Sequence, residues 1–280
     1  MSLLTVRNLW KSYGDQVVLE RVKLEIAEHE FCTIVGASGC GKSTFLRILL
    51  GAERPSRGEI LLQGRPLSPE PDADRGIVFQ RYSVYPHLTV LENVLLGFEL
   101  AQARWLGRLF GARRRAAIAR ALEMIEAVGL SDARDKYPAA LSGGMQQRLA
   151  FAQSLVCKPK ILLLDEPFGA LDPGIRADMQ ALALELWRSQ GLSVFLVTHD
   201  MPEAFGLGTR LLVFDKSRHD PRAALDPEPI RAPGTRLLVF DKVRRDPQAP
   251  HAYGATITYD IPLKRKDRNA VQSLSSATSP

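Results

Sequence analysis

Long apolar runs are missing from this chain. No stretch approaches the ~18 consecutive apolar residues of a membrane-crossing helix, so any path through a bilayer has to come from other chains. The region after Met1 has no basic segment followed by an apolar stretch, and no export signal is expected. Cysteine is scarce. Cys32, Cys40 and Cys157 are too few and too scattered for a disulfide framework or a zinc cluster, which points to a reducing compartment. Neither sign of charge dominates: 37 Lys and Arg face 31 Asp and Glu, a net +6 that is too small an excess to mark a nucleic-acid surface. What is present is an ordinary 45% of hydrophobic residues in 280, enough for one large domain with an inserted lobe.

Three strings carry the chemistry. The first is Gly36-Ala37-Ser38-Gly39-Cys40-Gly41-Lys42-Ser43-Thr44, between a predicted strand at Phe31–Val35 and a predicted helix at Lys42–Leu50. Gly36, Gly39 and Gly41 let the backbone turn its N–H groups toward phosphate oxygens. Lys42 adds a point charge for the β- and γ-phosphates, the helix start adds partial positive charge, and Ser43 offers a hydroxyl to Mg²⁺. Cys40 sits at a position of the loop with no chemical demand. The plain alternative is a glycine-rich turn, which this strand-to-helix context disfavours.

The second string is Ile161–Pro167, an unbroken apolar run ending in Asp165-Glu166, the pattern of a strand buried on both faces of a parallel sheet. Successive residues of an extended strand point oppositely, so the two acids take different tasks. Asp165 is suited to hold Mg²⁺ through water, and Glu166 to orient and deprotonate an attacking water. The third is Leu141–Arg148 (LSGGMQQR), where Ser142, Gly143 and Gly144 open a segment of helical spacing and form a second anion-attracting helix start. One complete phosphate loop plus a separate anion-binding helix start implies that the second serves another copy's nucleotide, so the chain is expected to dimerise around ATP.

On these strings the chain resembles the ATP-binding subunits of ABC transporters, from Leu3 to about Phe214. The resemblance implies further roles. Tyr13 stacks on adenine, Gln80 senses Mg²⁺ and the water, Asp172 in Phe168–Asp172 lies in the loop through which two subunits touch, and His199 contacts the γ-phosphate. Two copies then sandwich two ATP, each phosphate loop facing the partner's Ser142, Gly143 and Gly144. The implied fold is α/β, a P-loop NTPase with a RecA-like core, an antiparallel β subdomain and an inserted α-helical subdomain.

The organisation along the chain agrees with that fold. Leu3–Leu9, Val17–Ile26 and Glu59–Leu62 read as strands around the base, and Gly76–Phe79 and Ser193–Val197 join the central sheet. Helices are predicted over Thr89–Leu100 and Ala116–Val128, in a lobe inserted at about 81–150. By the resemblance this lobe receives a short helix of the membrane subunit, with Tyr82, Val84, Tyr85, Pro86 and His87 as contact candidates and ordinary packing as the equal alternative. Basic residues gather at Arg104, Arg108, Arg113, Arg114, Arg115 and Arg120 beside Trp105, Leu106, Leu109 and Phe110. A solvated helical face is the favoured reading over contact with anionic lipid headgroups.

The ATPase domain is expected over 1–214, a duplicated strand-turn and Pro-rich linker over 215–256, and a closing strand with a disordered tail over 257–280. Gly208–Pro221 recurs almost letter for letter as Gly234–Pro247. Two copies are too few for a solenoid, so this reads as a local tandem duplication, with the first copy in the sheet. Ile257–Arg268 and Phe168–Asp172 resemble the nitrate, sulfonate and taurine importer branch, although Lys264 and Lys266 depart from it.

The expected activity is hydrolysis of ATP, with Mg²⁺, driving solute import at the cytoplasmic face of the cell inner membrane. The solute is a nitrate-, sulfonate-, taurine- or urea/amide-related molecule. The expected partners are a second copy, two transmembrane permease subunits and a periplasmic or lipid-anchored solute-binding protein, with no nucleic acid. The alternatives are an exporter ATPase and a soluble ABC ATPase acting on ribosomes or DNA; a single cassette and a short lobe disfavour the latter. A GTPase is disfavoured because Asn-Lys-x-Asp does not occur.

Overall fold

Along Gln16–Ala27 apolar Val22, Leu24 and Ile26 alternate with exposed Arg21, Lys23 and Glu25, a half-buried strand with one face on a core. The structure, a computed structural model, describes residues 2–79, 84–102, 109–215, 229–232, 235–238 and 255–263, with backbone alone at 100–102, 229–232 and 235–238. Gln80, Tyr82, Arg104, Trp105, Leu106, Arg108, most of the Pro-rich linker and the tail from Lys264 lie outside these residues.

The chain divides into two compact units, Met1–Pro69 with Val197–Pro280, and Glu70–Leu196. In the first, β1 (Ser2–Tyr13) and β2 (Gln16–Ala27) form an antiparallel hairpin, continued by β4 (Arg57–Leu62) and β5 (Arg65–Pro66) in the order β2-β1-β4-β5. β1 runs four residues beyond its predicted end at Leu9. The pairing shifts register on both sides of Leu9, and Asn8 sits at φ 49°, so a bulge breaks the alternation without ending the strand.

The same unit holds β3 (Phe31–Gly36), α1 (Lys42–Leu50), α6 (Met201–Leu207), β9 (Arg210–Asp215) and β12 (Thr256–Pro262). β3 lies parallel to β9, and β12 antiparallel to β9 on its other side. Arg210 locks this edge: its guanidinium is bidentate to Asp260 at 2.6 Å, reaches Glu30 at 3.0 Å and donates to the Glu25 carbonyl at 2.8 Å. Beneath it Val35, Ala204, Phe205, Leu211, Val213 and Leu263 form a closed apolar cluster.

The second unit contains β6 (Arg75–Phe79), β7 (Ile161–Asp165) and β8 (Ser193–Val197) in the order β8-β7-β6, with β6 and β7 parallel. α4 (Gly143–Leu155) packs on β6, and α2 (Val90–Gln102), α3 (Gly111–Ala127) and α5 (Pro173–Gln190) pack against α4. A capping box starts α2. Thr89 Oγ1 accepts the Glu92 N–H at 3.2 Å while the Glu92 carboxylate accepts the Thr89 N–H at 2.8 Å, which holds the carboxyl below its ordinary range. α3 begins five residues before the predicted Ala116, because Arg113–Arg115 are good helix formers even without a capping residue. These three arginines are exposed, whereas Arg120 lies over the Phe98 ring at 5.0 Å.

The first copy of the duplicated segment supplies β9. From the second copy, β11 (Thr235–Leu238) pairs antiparallel with β10 (Pro229–Ala232) in a separate two-stranded sheet. The two copies carry the same residues, RLLVFD, at every position that pairs with β3 and β12. Deleting residues 208–233 therefore puts an identical strand in β9's place. It also shortens the connection to β12, worth about 1 kcal/mol of closure entropy. The shortened chain is expected to melt at the parent temperature or up to ~4 °C higher by calorimetry; failure to fold would show that the first copy or the linker is required.

Candidate nucleotide site

The phosphate loop is pressed between two strands. At Gly36 a Cβ would lie 2.2 Å from the Phe214 carbonyl oxygen of β9, and at Gly41, φ +99°, it would meet Leu19 Cδ2 of β2 at 2.9 Å. Only glycine satisfies both approaches. Ala37, Ser38 and Gly39 form the exposed tip, while Cys40 turns inward at 2% exposure, leaving only its backbone to the loop surface.

α1 follows with Gly41 as N-cap, no side-chain cap and no acid in its first turn, so its positive end is unneutralised. The Lys42 ammonium folds over the loop and donates to the carbonyls of Gly36 at 2.8 Å and Ala37 at 3.0 Å. Ser43 and Thr44 occupy the same first turn, half-buried. Phe45 anchors that turn from below against the Phe214 ring, 5.3 Å between centroids.

In the same unit Tyr13 ends β1 with its ring 46% exposed. Its hydroxyl donates to Glu53, and the Lys11 ammonium lies 4.7 Å from the ring centroid. Burial and the Glu53 carboxylate push the Tyr13 phenol up. Burial pulls Glu53 upward too, but hydrogen bonds from Tyr13 and Lys11 and the charge of Arg47 outweigh it and lower the carboxyl. The aromatic face is thereby fixed but open.

His199 is exposed between two anchored neighbours. The Thr198 N–H donates to the Ile34 carbonyl at 3.1 Å, two residues before Gly36, and Asp200 donates its N–H to Thr198 Oγ1 at 3.0 Å. The Asp200 carboxylate also accepts the Glu203 N–H at 3.2 Å and starts α6. The backbone carrying His199 is thus bonded directly to the strand that feeds the phosphate loop.

In the other unit β7 delivers Asp165, and Glu166 follows at φ 48°, a left-handed conformation uncommon for a residue with a Cβ. The turn is closed by the Gly169 N–H on the Glu166 carbonyl at 3.3 Å. Asp172 is exposed and precedes α5 without capping it by its side chain. Ser142 does cap α4, its Oγ accepting the Met145 N–H at 3.3 Å. Ser142 and Gly143 are exposed; Gly144 is buried against α5, where a Cβ would lie 2.7 Å from Ile175 Cγ2.

Two residues of this unit escaped the sequence reading. Asn93, fully buried on α2, accepts the Tyr85 N–H at 2.7 Å and donates toward the carbonyls of Tyr85, Leu88 and Thr89 at 2.9–3.1 Å. It shapes the segment that presents Val84, Tyr85, Pro86 and His87. The available signal was a lone amide inside the apolar stripe of Val90, Val94 and Phe98. The second residue is Gln147, fully buried on α4, which donates to the Pro167 carbonyl.

The family model for ABC transporters matches residues 19–169. The chain belongs to the ABC transporter family. As an ABC ATP-binding chain it binds ATP and is an ATPase of the P-loop α/β fold. It is 42% identical over 215 residues to an aliphatic sulfonates import ATP-binding protein of Pseudomonas savastanoi pv. phaseolicola, covering 77% of this chain and 74% of that one. An uncharacterized ABC transporter ATP-binding protein of Methanocaldococcus jannaschii is 44% identical, over 75% of this chain and 76% of the other. Among solved structures, an ABC transporter ATP-binding cassette in its ADP conformation superposes with TM-score 0.67 at 23% identity, covering 76% and 87% of the two chains. A component of an ABC transporter complex from Clostridium perfringens gives 0.64 at 28%, over 76% and 84%.

Asn93→Ala strips a buried donor and several carbonyls of their partner, at a cost of about 2 kcal/mol. The melting temperature is expected to fall by ~4–8 °C; an unchanged value would show that the Tyr85 segment is held by other contacts.

Proposed function

We propose that this chain is the ATP-hydrolysing subunit of an importer, working as a homodimer at the cytoplasmic face of the membrane beneath two permease subunits and supplied by a solute-binding protein. The observation that carries this reading is the pair of exposed helix starts, α1 with its phosphate loop and α4 with Ser142 and Gly143, on one chain. Each is a donor end suited to anionic oxygens. In the ABC family they come from opposite subunits.

The residues fit ATP. The first turn of α1 has no side-chain cap and no acid, and Lys42 already bonds two carbonyl oxygens, the acceptor type that phosphate oxygens supply. They also fit a metal that arrives with the nucleotide. Among the described residues no three His, Cys, Asp or Glu side chains gather to hold a cation by themselves, so Mg²⁺ would rely on phosphate oxygens, the Ser43 hydroxyl and Asp165. When bound, Mg²⁺ neutralises charge on the transferring phosphoryl group.

Tyr13 offers its face to the base, and the loop amides from Gly36 to Thr44 with Lys42 grip the phosphates. The partner's Ser142, Gly143 and Gly144 close on the same nucleotide, with Asp172 at the contact between subunits. Gln80 helps to position the metal and the water. Glu166 takes the water's proton, and His199 donates to the γ-phosphate. Because the protein supplies position and charge and no covalent bond, completing the site by dimer closure is itself the catalytic event. Loss of the γ-phosphate removes the shared contacts and reopens the pair, which moves the permease.

Among the described residues no helix is long and apolar enough to cross a membrane. The solute reading is a small sulfonate-like anion, supported by relatives named for aliphatic sulfonates in two genera. A relative named for spermidine and putrescine is 40% identical, and this chain covers 58% of its length. The solute class is therefore tested by transport competition, not by the cassette.

Glu166→Gln keeps the shape and removes the base. The variant is expected to bind ATP, to lose turnover by at least ~10²-fold, and to accumulate as an ATP-bound dimer by light scattering. Hydrolysis at the parent rate would overturn the assignment of the base.

A further inference from the structure

Gly144, Gln147 and Phe151 lie three and four residues apart on α4 and share one face of that helix. All three meet the segment that leaves Glu166. Gln147 is fully buried and donates its amide to the carbonyl of Pro167, the residue after Glu166. One turn on, the Phe151 ring stacks on Phe168, with centroids 6.4 Å apart and planes at 16°. One turn back, Gly144 admits Ile175 of α5, just past Asp172. The catalytic turn and the subunit-contact loop are therefore bolted to the helix whose N-terminus carries Ser142.

Gln147 is a poor choice for packing alone. Its Oε1 is buried with no hydrogen-bond partner among the described residues, a costly state for an amide in a core where leucine or methionine would fill the same volume without penalty. Its donated bond falls beside the strained residue: Glu166 holds φ 48° immediately before the carbonyl that Gln147 grips. A left-handed residue persists only where its surroundings over-determine it.

We propose that Gln147 is a positioning residue that ties the left-handed turn of Glu166 to α4, so that closure of Ser142 and Gly143 on one nucleotide sets Glu166 for the other. The inference rests on the reading above that Ser142–Gly144 grip the partner's ATP. Each subunit then carries a rigid link between the two sites of the dimer. Nucleotide bound at one site orders the base at the second, and hydrolysis becomes cooperative in ATP.

The test uses the full chain with Gln147→Leu and Gln147→Met, which fill the volume without the bond, so that one folding failure leaves the other variant. A third variant, Gln147→Glu, has a buried carboxyl that donates to Pro167 only when protonated. The expected result for Leu and Met is a tenfold to hundredfold loss of kcat, a KM for ATP within about twofold of the parent, and a Hill coefficient reduced to about 1. Gln147→Glu is expected to regain kcat toward pH 6 relative to pH 8, against the parent profile, because protonation restores the donor.

Parent-like kcat and Hill coefficient in a folded Leu or Met variant would overturn the proposal. So would a joint fall of kcat, ATP affinity and melting temperature without recovery of the Glu variant at acid pH, the mark of a merely structural residue. Dimer trapping by ATP in a Glu166→Gln background separates the two readings. A dimer trapped by Glu166→Gln, together with parent-like kcat and Hill coefficient for the Gln147 variants that keep Glu166, sinks the link alone; no dimer from Glu166→Gln itself sinks the shared site and the link together.

Discussion

An unneutralised positive helix end is the constraint on which the proposed nucleotide site depends. α1 begins at Lys42 with no side-chain cap and no acid in its first turn, and the lysine ammonium is folded back over the loop that precedes it. Such an arrangement is unfavourable for an isolated helix, since the first N–H groups go unpaired and like charges gather. It is stabilised by what lies around it: β3 buried on both faces, Phe45 packed on Phe214, and glycines at the two places where β9 and β2 approach the loop too closely for a Cβ. In the proposed site a triphosphate would supply the negative charge that this helix start lacks.

The second exposed helix start, α4, follows a different logic. Ser142 satisfies one of its amides, and the remainder of the helix is clamped from both sides, by Gln146 to the carbonyls of Pro138 and Leu141 and by Arg148 to the carbonyl of Val128. Its Gln147 side chain reaches the turn that follows Glu166, which is the contact the proposed link between the two sites depends on.

The phosphate loop, Asp165-Glu166 and Leu141–Arg148 were legible in the sequence because each is a local string whose spacing is dictated by chemistry. The strands β3, β7 and β8 were legible because they are buried on both faces and read as largely apolar runs. What did not show was set by partners outside the local string. Nothing in a single string says that Asn93 will bond Tyr85, that Gln147 will meet Pro167, or that Arg210 will hold Asp260 across an edge strand. The early start of α3 was hidden because Phe110-Gly111 offers no capping residue, and the end of β1 because a bulge at Asn8 breaks the alternation. The duplication was visible, and the expected place of the first copy holds: Arg210–Asp215 lies in the sheet beside β3.

The central claim is that every nucleotide is gripped by two chains, and mixing two inactive variants tests it most directly. Lys42→Ala damages only the phosphate loop, and Ser142→Arg only the opposing helix start, so each alone contains no intact shared site. A heterodimer of the two contains one. The account predicts that each variant is inactive separately and that the mixture recovers ATP hydrolysis, up to about a quarter of the parent rate by random pairing. A mixture as inactive as its components, shown by mass to contain heterodimers, would contradict it.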